Sequence, residues 1–419
     1  MPSPVASFVS EIVKAPEKLE PAIINALARS NGNASRNTYI ARDEGWTRDQ
    51  AQRLVEDAPV KKPLLYGAPV ALKDCFDLEG FVTSAGSRFY AHHNPSATTD
   101  SWVAARLKVA GAVITGKTHL HQLAYGITGE NRDYGNCLQP DDPSSLTGGS
   151  SSGAAASIQE GSAIAAIGTD TGGSVRAPAA FCGLAGYRAS LGVGSWQGGA
   201  HLAPSFDTIG WLCRDLRDLP LLAEALFGII PAASTDKPIT VACLRGGLID
   251  ECDPSVAASM QEWEERLRRA GVQVRSFHAD FWQGGFEIYA PIQAHEAAAI
   301  HAGFYDEFEP AIADRLRWGA GIPQAELLQW KDRHQDFNRK TAAFFEQADF
   351  LMLPAVPVPR LAADADHATT RPRILRYTTP ASLAGLPAVV LPASVAGMQL
   401  LAPRGNDAAL LAFAAGLPT

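Results

Sequence analysis

Two hydrophobic periods alternate along the chain. Residues 1 to about 60 repeat apolar positions at helical spacing between polar joints such as SNGNASRN, which predicts amphipathic helices. GAPVALKD, residues 67–74, then reads as the first core strand. From Asp100 the stretch SWVAARLKVAG keeps helical spacing up to Gly111, and the β-branched run AVIT follows, making a helix-to-strand unit. IAAIGTD, residues 164–170, is a second short apolar strand. Beyond Asp215 come charged helices such as SVAASMQEWEERLRRAG, then stretches holding Trp282, Phe286, Tyr289, Trp318 and Trp330, which read mostly as core. ADFLMLPAVPVP and TTPASLAGLPAVVLPA each predict a buried strand framed by prolines, and DAALLAFAAGL a terminal helix. Helices alternating with strands predict an α/β fold around a mixed sheet. The sequence contains no internal repeat.

Composition narrows the function classes. A chain of 419 residues, 46% hydrophobic and 19% charged, can bury a large core. Its net charge of −8 supplies no electrostatic footprint for nucleic acid or anionic lipid, so neither is an expected partner. The longest apolar stretch, around Leu219 to Ala233, is interrupted by Pro220, Glu224 and Pro231, which is incompatible with a membrane span. The first residues lack the pattern of a secretory leader, and a cytoplasmic location is expected by elimination. Six scattered cysteines without a C-x-x-C pair read as reduced, buried thiols. His119 and His121 sit close enough to share a metal, but no third ligand accompanies them, so no metal is expected.

Three short segments set a reactive group beside glycines or a strand end: Lys73 in VALKD, Ser150 in GGSSSG and Ser174 in DTGGSVR. The glycine-dense runs lie between core elements, where a flexible linker has no place. A serine hydroxyl becomes a nucleophile when a neighbour removes its proton, and a desolvated lysine can be that neighbour. Successive N–H groups of Thr171, Gly172, Gly173 and Ser174 can converge on an oxyanion because glycine offers no obstruction. Asp170 and Arg176 read as braces of that loop. A rival nucleophile is Ser151, the centre of a G-x-S-x-G match, but the polar LQPDDPSSLT before it is not the strand that a nucleophile elbow requires. Phosphate-loop, dinucleotide, S-x-x-K and H-E-x-x-H patterns are absent.

In their contexts, these residues resemble the amidase signature family of serine hydrolases. The likeness covers AGAVITGKTHL, the YG of RDYG, GGSSSG, GTDTGGSVRAPAAFCGLAGYR and SFDTIG, and returns in DFLMLPAVP, SLAGLPAVVLPA and GMQL. It implies a Ser-cisSer-Lys triad: Ser174 as nucleophile, Ser150 as the cis-peptide serine relaying the proton, and Lys73 as general base. It also implies one domain over residues 1–419, a large mixed twisted β-sheet covered by helices on both faces. Residues 65–215 would form the catalytic core segment and 216–376 a variable cap lining the pocket. Tyr125 and Gly126 would approach the acyl side of the substrate. The expected activity is hydrolysis of a small-molecule carboxamide to a carboxylate and ammonia or an amine through an acyl-enzyme, with no cofactor and as a homodimer. The alternatives are a glutamine-dependent amidotransferase A-type subunit, or a hydrolase of urea-derived substrates such as allophanate or biuret. Departures from the family pattern are Ser152 for a glycine, Gly186-Tyr187-Arg188-Ala189-Ser190 for G-x-K-P-T, and Gln139-Pro140 for Asn-Pro. They bear on the substrate subgroup.

Overall fold

Neighbouring side chains along the strands enter two different cores. The computed structural model describes residues 2–57, 59–231, 238–278 and 280–418. Its strands are β1 (Tyr39–Ala41), β2 (Pro69–Lys73), β3 (Val113–Thr118), β4 (Ser145–Leu146), β5 (Ala165–Thr169), β6 (Ala185–Arg188), β7 (Ile209–Cys213), β8 (Thr240–Leu244), β9 (Gln273–Phe277), β10 (Phe350–Pro354), β11 (Leu361–Ala362), β12 (Ala388–Leu391) and β13 (Met398–Leu401). Among the described residues, eleven of them form one mixed sheet in the order β1-β3-β2-β5-β7-β6-β12-β13-β10-β8-β9, while β4 and β11 pair with each other. Parallel pairing joins β3, β2 and β5 on one side and β10, β8 and β9 on the other. Antiparallel strands fill the centre.

Val241, Cys243, Met352 and Leu400 pack into the larger core, whereas Ala242, Leu244, Leu351, Leu353 and Leu401 pack into the second. This period of two means that both faces of the sheet are covered. On the first face lies the helix Pro254–Arg269, which buries Val256, Met260, Trp263 and Leu267 at helical spacing. It starts at Asp253, whose carboxylate accepts the Ser255 N–H, and ends on Arg266, Arg268 and Arg269, the charge order that a helix dipole favours. The second face is covered by the helices Gly285–Ile300, Gln324–Phe344 and Thr370–Leu383 through Tyr289, Ile292, Phe337, Tyr377 and Leu383.

Several expectations change. The stretch TTPASLAG is helical, with Pro380 inside the helix Thr370–Leu383, and only Ala388–Leu391 of that segment is a strand. The strand β1 interrupts the helices of the first sixty residues as a short, half-buried edge strand. The middle region supplies β8, β9 and β10 to the sheet itself in addition to helices around the site. Trp282 and Tyr289 are core, but Trp318 is 50% exposed.

The helices Gly285–Ile300 and Pro310–Ala320 cross with their backbones in contact, and a Cβ at Gly319 would stand 2.0 Å from the carbonyl oxygen of Ala294. Overpacking of this kind typically costs about 1–3 kcal/mol, and a backbone neighbour places it at the upper end. Urea denaturation should therefore find Gly319→Ala destabilised by ~3 kcal/mol, with Gly321→Ala, whose nearest non-neighbour atoms are 3.5 Å away, close to wild type. Equal stability of the two variants would contradict this packing.

Candidate active site

Because β2 and β5 are parallel neighbours, their carboxyl ends open on the same edge of the sheet, where such sheets commonly bind ligands. Lys73 ends β2 and Thr169 ends β5. The fully buried Lys73 Nζ lies 2.8 Å from Ser150 Oγ and 2.7 Å from Thr169 Oγ1. Burial lowers its pKa to about 8 against the weaker opposing pull of Cys75, Asp170 and Asp207. The thiol of Cys75 is itself pushed up to about 11 by burial, so it stays neutral near pH 7. The adjacent carboxylate, Asp74, is held by Lys117 Nζ at 2.9 Å and by the hydroxyl of Ser84. No carboxylate forms an ion pair with Lys73 among the described residues.

Ser150 stands just before the helix Ser152–Glu160, and the Gly149–Ser150 peptide is cis. Its carbonyl accepts the His121 N–H at 3.2 Å. Ser152, one of the departures from the family pattern, lies 2.8 Å from His119 Nδ1 through its hydroxyl. The other ring nitrogen of His119 is 2.8 Å from the Gly135 carbonyl, which assigns the proton to Nε2. Burial holds the His119 pKa down to about 4, so the ring is neutral and accepts from Ser152. His121 meets Glu309 at 3.1 Å. Both histidines are thus engaged by the protein. The rival Ser151 is engaged too: its hydroxyl donates to the Thr169 carbonyl at 3.2 Å and its N–H to the Ser174 carbonyl at 3.1 Å.

Ser174 lies on the loop that joins β5 to the helix Arg176–Phe181, and Asp170 shapes this loop from inside. Asp170 Oδ1 accepts the Gly173 N–H at 2.8 Å, and Oδ2 accepts the N–H groups of Val175 and Arg176, each at 3.2 Å. Arg176 grips the same carboxylate with Nε at 3.0 Å and Nη2 at 2.9 Å, while Arg188 Nη1 sits 3.0 Å from Oδ1. Burial alone would raise this carboxyl; the two guanidiniums overturn that and hold it far below the usual range. Gly173 has φ +119°, and a Cβ there would stand 2.6 Å from Thr378 Oγ1, so only glycine fits.

The N–H of Gly173, expected among the oxyanion donors, is therefore committed to Asp170. Those of Thr171, Gly172 and Ser174 have no partner among the described residues. Ser174 is 4% exposed, and its hydroxyl makes no hydrogen bond among the described residues. It faces a small cavity lined by Tyr125 and Gly126 on one side and by Gln293, Arg371 and Leu375 from the middle region on the other. The structure thus brings Lys73 and Ser150 into hydrogen-bond contact and puts Ser174 in one cavity with Tyr125 and Gly126. The sequence reading missed Thr169, Gln293 and Arg371. Thr169 could have been found from its place at a strand end; Arg371 carries no periodic signal.

The chain is similar to known proteins over most of its length. The family model described as Amidase matches residues 23–411. The chain is 32% identical to the 2-amino-5-chloromuconic acid deaminase of Comamonas testosteroni, covering 96% of this chain and 89% of that protein. It is 33% identical to the A-type subunit of the glutamyl-tRNA(Gln) amidotransferase of Thermus thermophilus, covering 86% of each. A crystal structure of an amidase superposes with a TM-score of 0.88 at 27% identity over 98% of both chains. The chain belongs to the amidase family and is an amide hydrolase.

Proposed function

We propose that Ser174, Ser150 and Lys73 hydrolyse a small-molecule carboxamide through an acyl-enzyme. The observation that carries this reading is Lys73: a buried lysine with no acidic partner among the described residues, bonded to the Ser150 hydroxyl at 2.8 Å and lowered to about 8, can exist as a neutral amine near working pH. Neutral Lys73 accepts the proton of Ser150 as Ser150 accepts that of Ser174. The freed Ser174 oxygen bonds to the amide carbon, and the carbonyl oxygen, now negative, is met by the N–H groups of Thr171, Gly172 and Ser174. When the C–N bond breaks, the proton returns through Ser150 to the leaving nitrogen. Water then attacks the ester, giving the carboxylate and restoring the Ser174 hydroxyl. The hydrogen bond between the two serines forms when substrate is seated, since catalytic contacts commonly tighten only at that stage.

The preorganised N–H groups contribute on the order of 3–4 kcal/mol each to such a step. No helix among the described residues is long and apolar enough to cross a membrane, and a cytoplasmic location with a water-soluble substrate is part of this reading. The identity with the Thermus protein supports a second reading, release of ammonia for a partner enzyme. Turnover of free amides by the purified chain alone separates the two.

A serine-directed fluorophosphonate should label the wild type and Ser151→Ala but not Ser174→Ala, as read by intact-protein mass spectrometry. Ser174→Ala should also lower kcat by at least about 10⁴-fold. Labelling lost in Ser151→Ala instead would transfer the nucleophile's role. The pH profile follows from the sign of the Lys73 shift. The base must be neutral, so kcat/KM should rise about tenfold per pH unit up to neutrality and level off above its pKa of about 8. Initial rates that stay flat from about pH 5 to 9 would rule out lysine as the base.

A further inference from the structure

The cavity beside Ser174 holds a cation that the proposed chemistry does not use. Arg371 lies in the first turn of the helix Thr370–Leu383 and lines the cavity. Its Nε is buried without a partner, and among the described residues no carboxylate forms an ion pair with it. A second guanidinium stands behind it: Arg315 Nη2 donates to the Tyr125 carbonyl at 2.7 Å, its Cζ lies 4.8 Å from the Tyr125 ring centroid, and its Nε is also buried and unpartnered. Arg371 Cζ is 6.0 Å from the same ring. The acids around Arg315 are engaged elsewhere, Asp314 with Arg317 at 3.0 Å and Glu309 with His121 at 3.1 Å. Two guanidiniums therefore share one tyrosine with no anion between them.

Desolvating a guanidinium without an acceptor is unfavourable, and arginine cannot escape by losing its proton. Burial and the neighbouring Arg315 lower the Arg371 pKa to about 9, which still leaves it charged at neutral pH. The planar fork matches a carboxylate in two-point contact. Among the described residues no aspartate or glutamate lines the cavity, so a substrate ammonium group would meet positive charge with no acid to receive it.

Resting on the reading of Ser174 as the reacting group, we infer that this cavity takes an amide that also carries a carboxylate, bound by Arg371 with Arg315 behind it, and that bears no free amino group. A monoamide of a dicarboxylic acid has this chemistry. Glutamine does not, because its ammonium group faces the guanidiniums.

Calorimetric titration of Ser174→Ala protein tests this without requiring turnover, using glutaramate, glutamine and valeramide. Glutaramate is glutamine without its amino group, and valeramide is a neutral amide of the same chain length. Glutaramate should bind at least about tenfold more tightly than either. Adding Arg371→Met should weaken glutaramate at least about thirtyfold and remove its advantage over valeramide, with Arg371→Lys falling between. Binding of glutamine or valeramide as tight as that of glutaramate, no binding of glutaramate, or selectivity retained in Arg371→Met would each overturn the inference. Fluorophosphonate labelling of the wild type reports on the nucleophile separately, so failure of one reading is distinguishable from failure of the other.

Discussion

A carboxylate removed from water sets the shape of the site. Asp170 is fully buried, and Arg176, Arg188 and three backbone N–H groups converge on it. Breaking such a cluster from one side commonly costs about 3–5 kcal/mol, because the remaining charge is left without a partner in a low dielectric. The cluster reaches beyond its own loop. Arg176 also donates to the Thr378 carbonyl, Ser382 Oγ and Gln399 Oε1, each at 2.8 Å, and Arg188 belongs to β6. One loop is thereby fixed to two strands and to the helix Thr370–Leu383. Satisfying Asp170 consumes the Gly173 N–H and turns those of Thr171, Gly172 and Ser174 away from any protein acceptor among the described residues. That arrangement gives electrostatic preorganisation its strength.

The remaining buried cations divide by whether they have an acid. Lys117 has Asp74, and Arg176 and Arg188 have Asp170. Lys73 has none among the described residues, and neither has Arg371, which is partly buried with its Nε shielded from solvent. The same deprivation leads to opposite outcomes because the two side chains differ chemically. A lysine can shed its proton and become a base, which is what burial favours at Lys73; an arginine stays charged and demands an anion from outside. The proposed base and the proposed anchor thus arise from one rule, the withholding of carboxylates, applied to two residue types.

Much of this was legible in the sequence. The strands around β2, β3, β5, β10 and β12 follow from apolar runs bounded by glycine or proline, and the helix Pro254–Arg269 from its spacing and charge order. Lys73, Ser150 and Ser174 stood out because each sits where backbone and side-chain chemistry are unusual together. What escaped reading depends on contacts between distant segments. The strand β1 has three half-buried residues, too few for a period to register. The helical TTPASLAG was disguised by Pro380, which breaks an isolated helix but is tolerated where tertiary packing surrounds it. The Gly173 N–H looked free until the reach of the Asp170 side chain was known. Arg371 has an ordinary basic neighbourhood, and its significance lies in the absence of an ion-pairing acid among the described residues.

The helix Thr370–Leu383 links the proposed anion site to the loop that bears Ser174. Arg371, Leu375 and Thr378 are four and then three residues apart, so they occupy one face of it. Arg371 and Leu375 line the cavity, while Thr378 donates its hydroxyl to the Gly172 carbonyl at 2.5 Å and packs where a Gly173 side chain would be. The distance from the guanidinium to the loop bearing Ser174 is thus set by two turns of a single rigid element, not by a flexible connection. Tyr289 closes on the same loop from another helix, its hydroxyl 2.6 Å from where a Gly172 Cβ would be. Gly173 is therefore required twice, once for its positive φ and once for the close approach of Thr378, and Gly172 once, for the approach of Tyr289. A substrate anion seated on Arg371 would be registered against the proposed oxyanion donors by that helix, which would favour amides of one length over shorter or longer homologues.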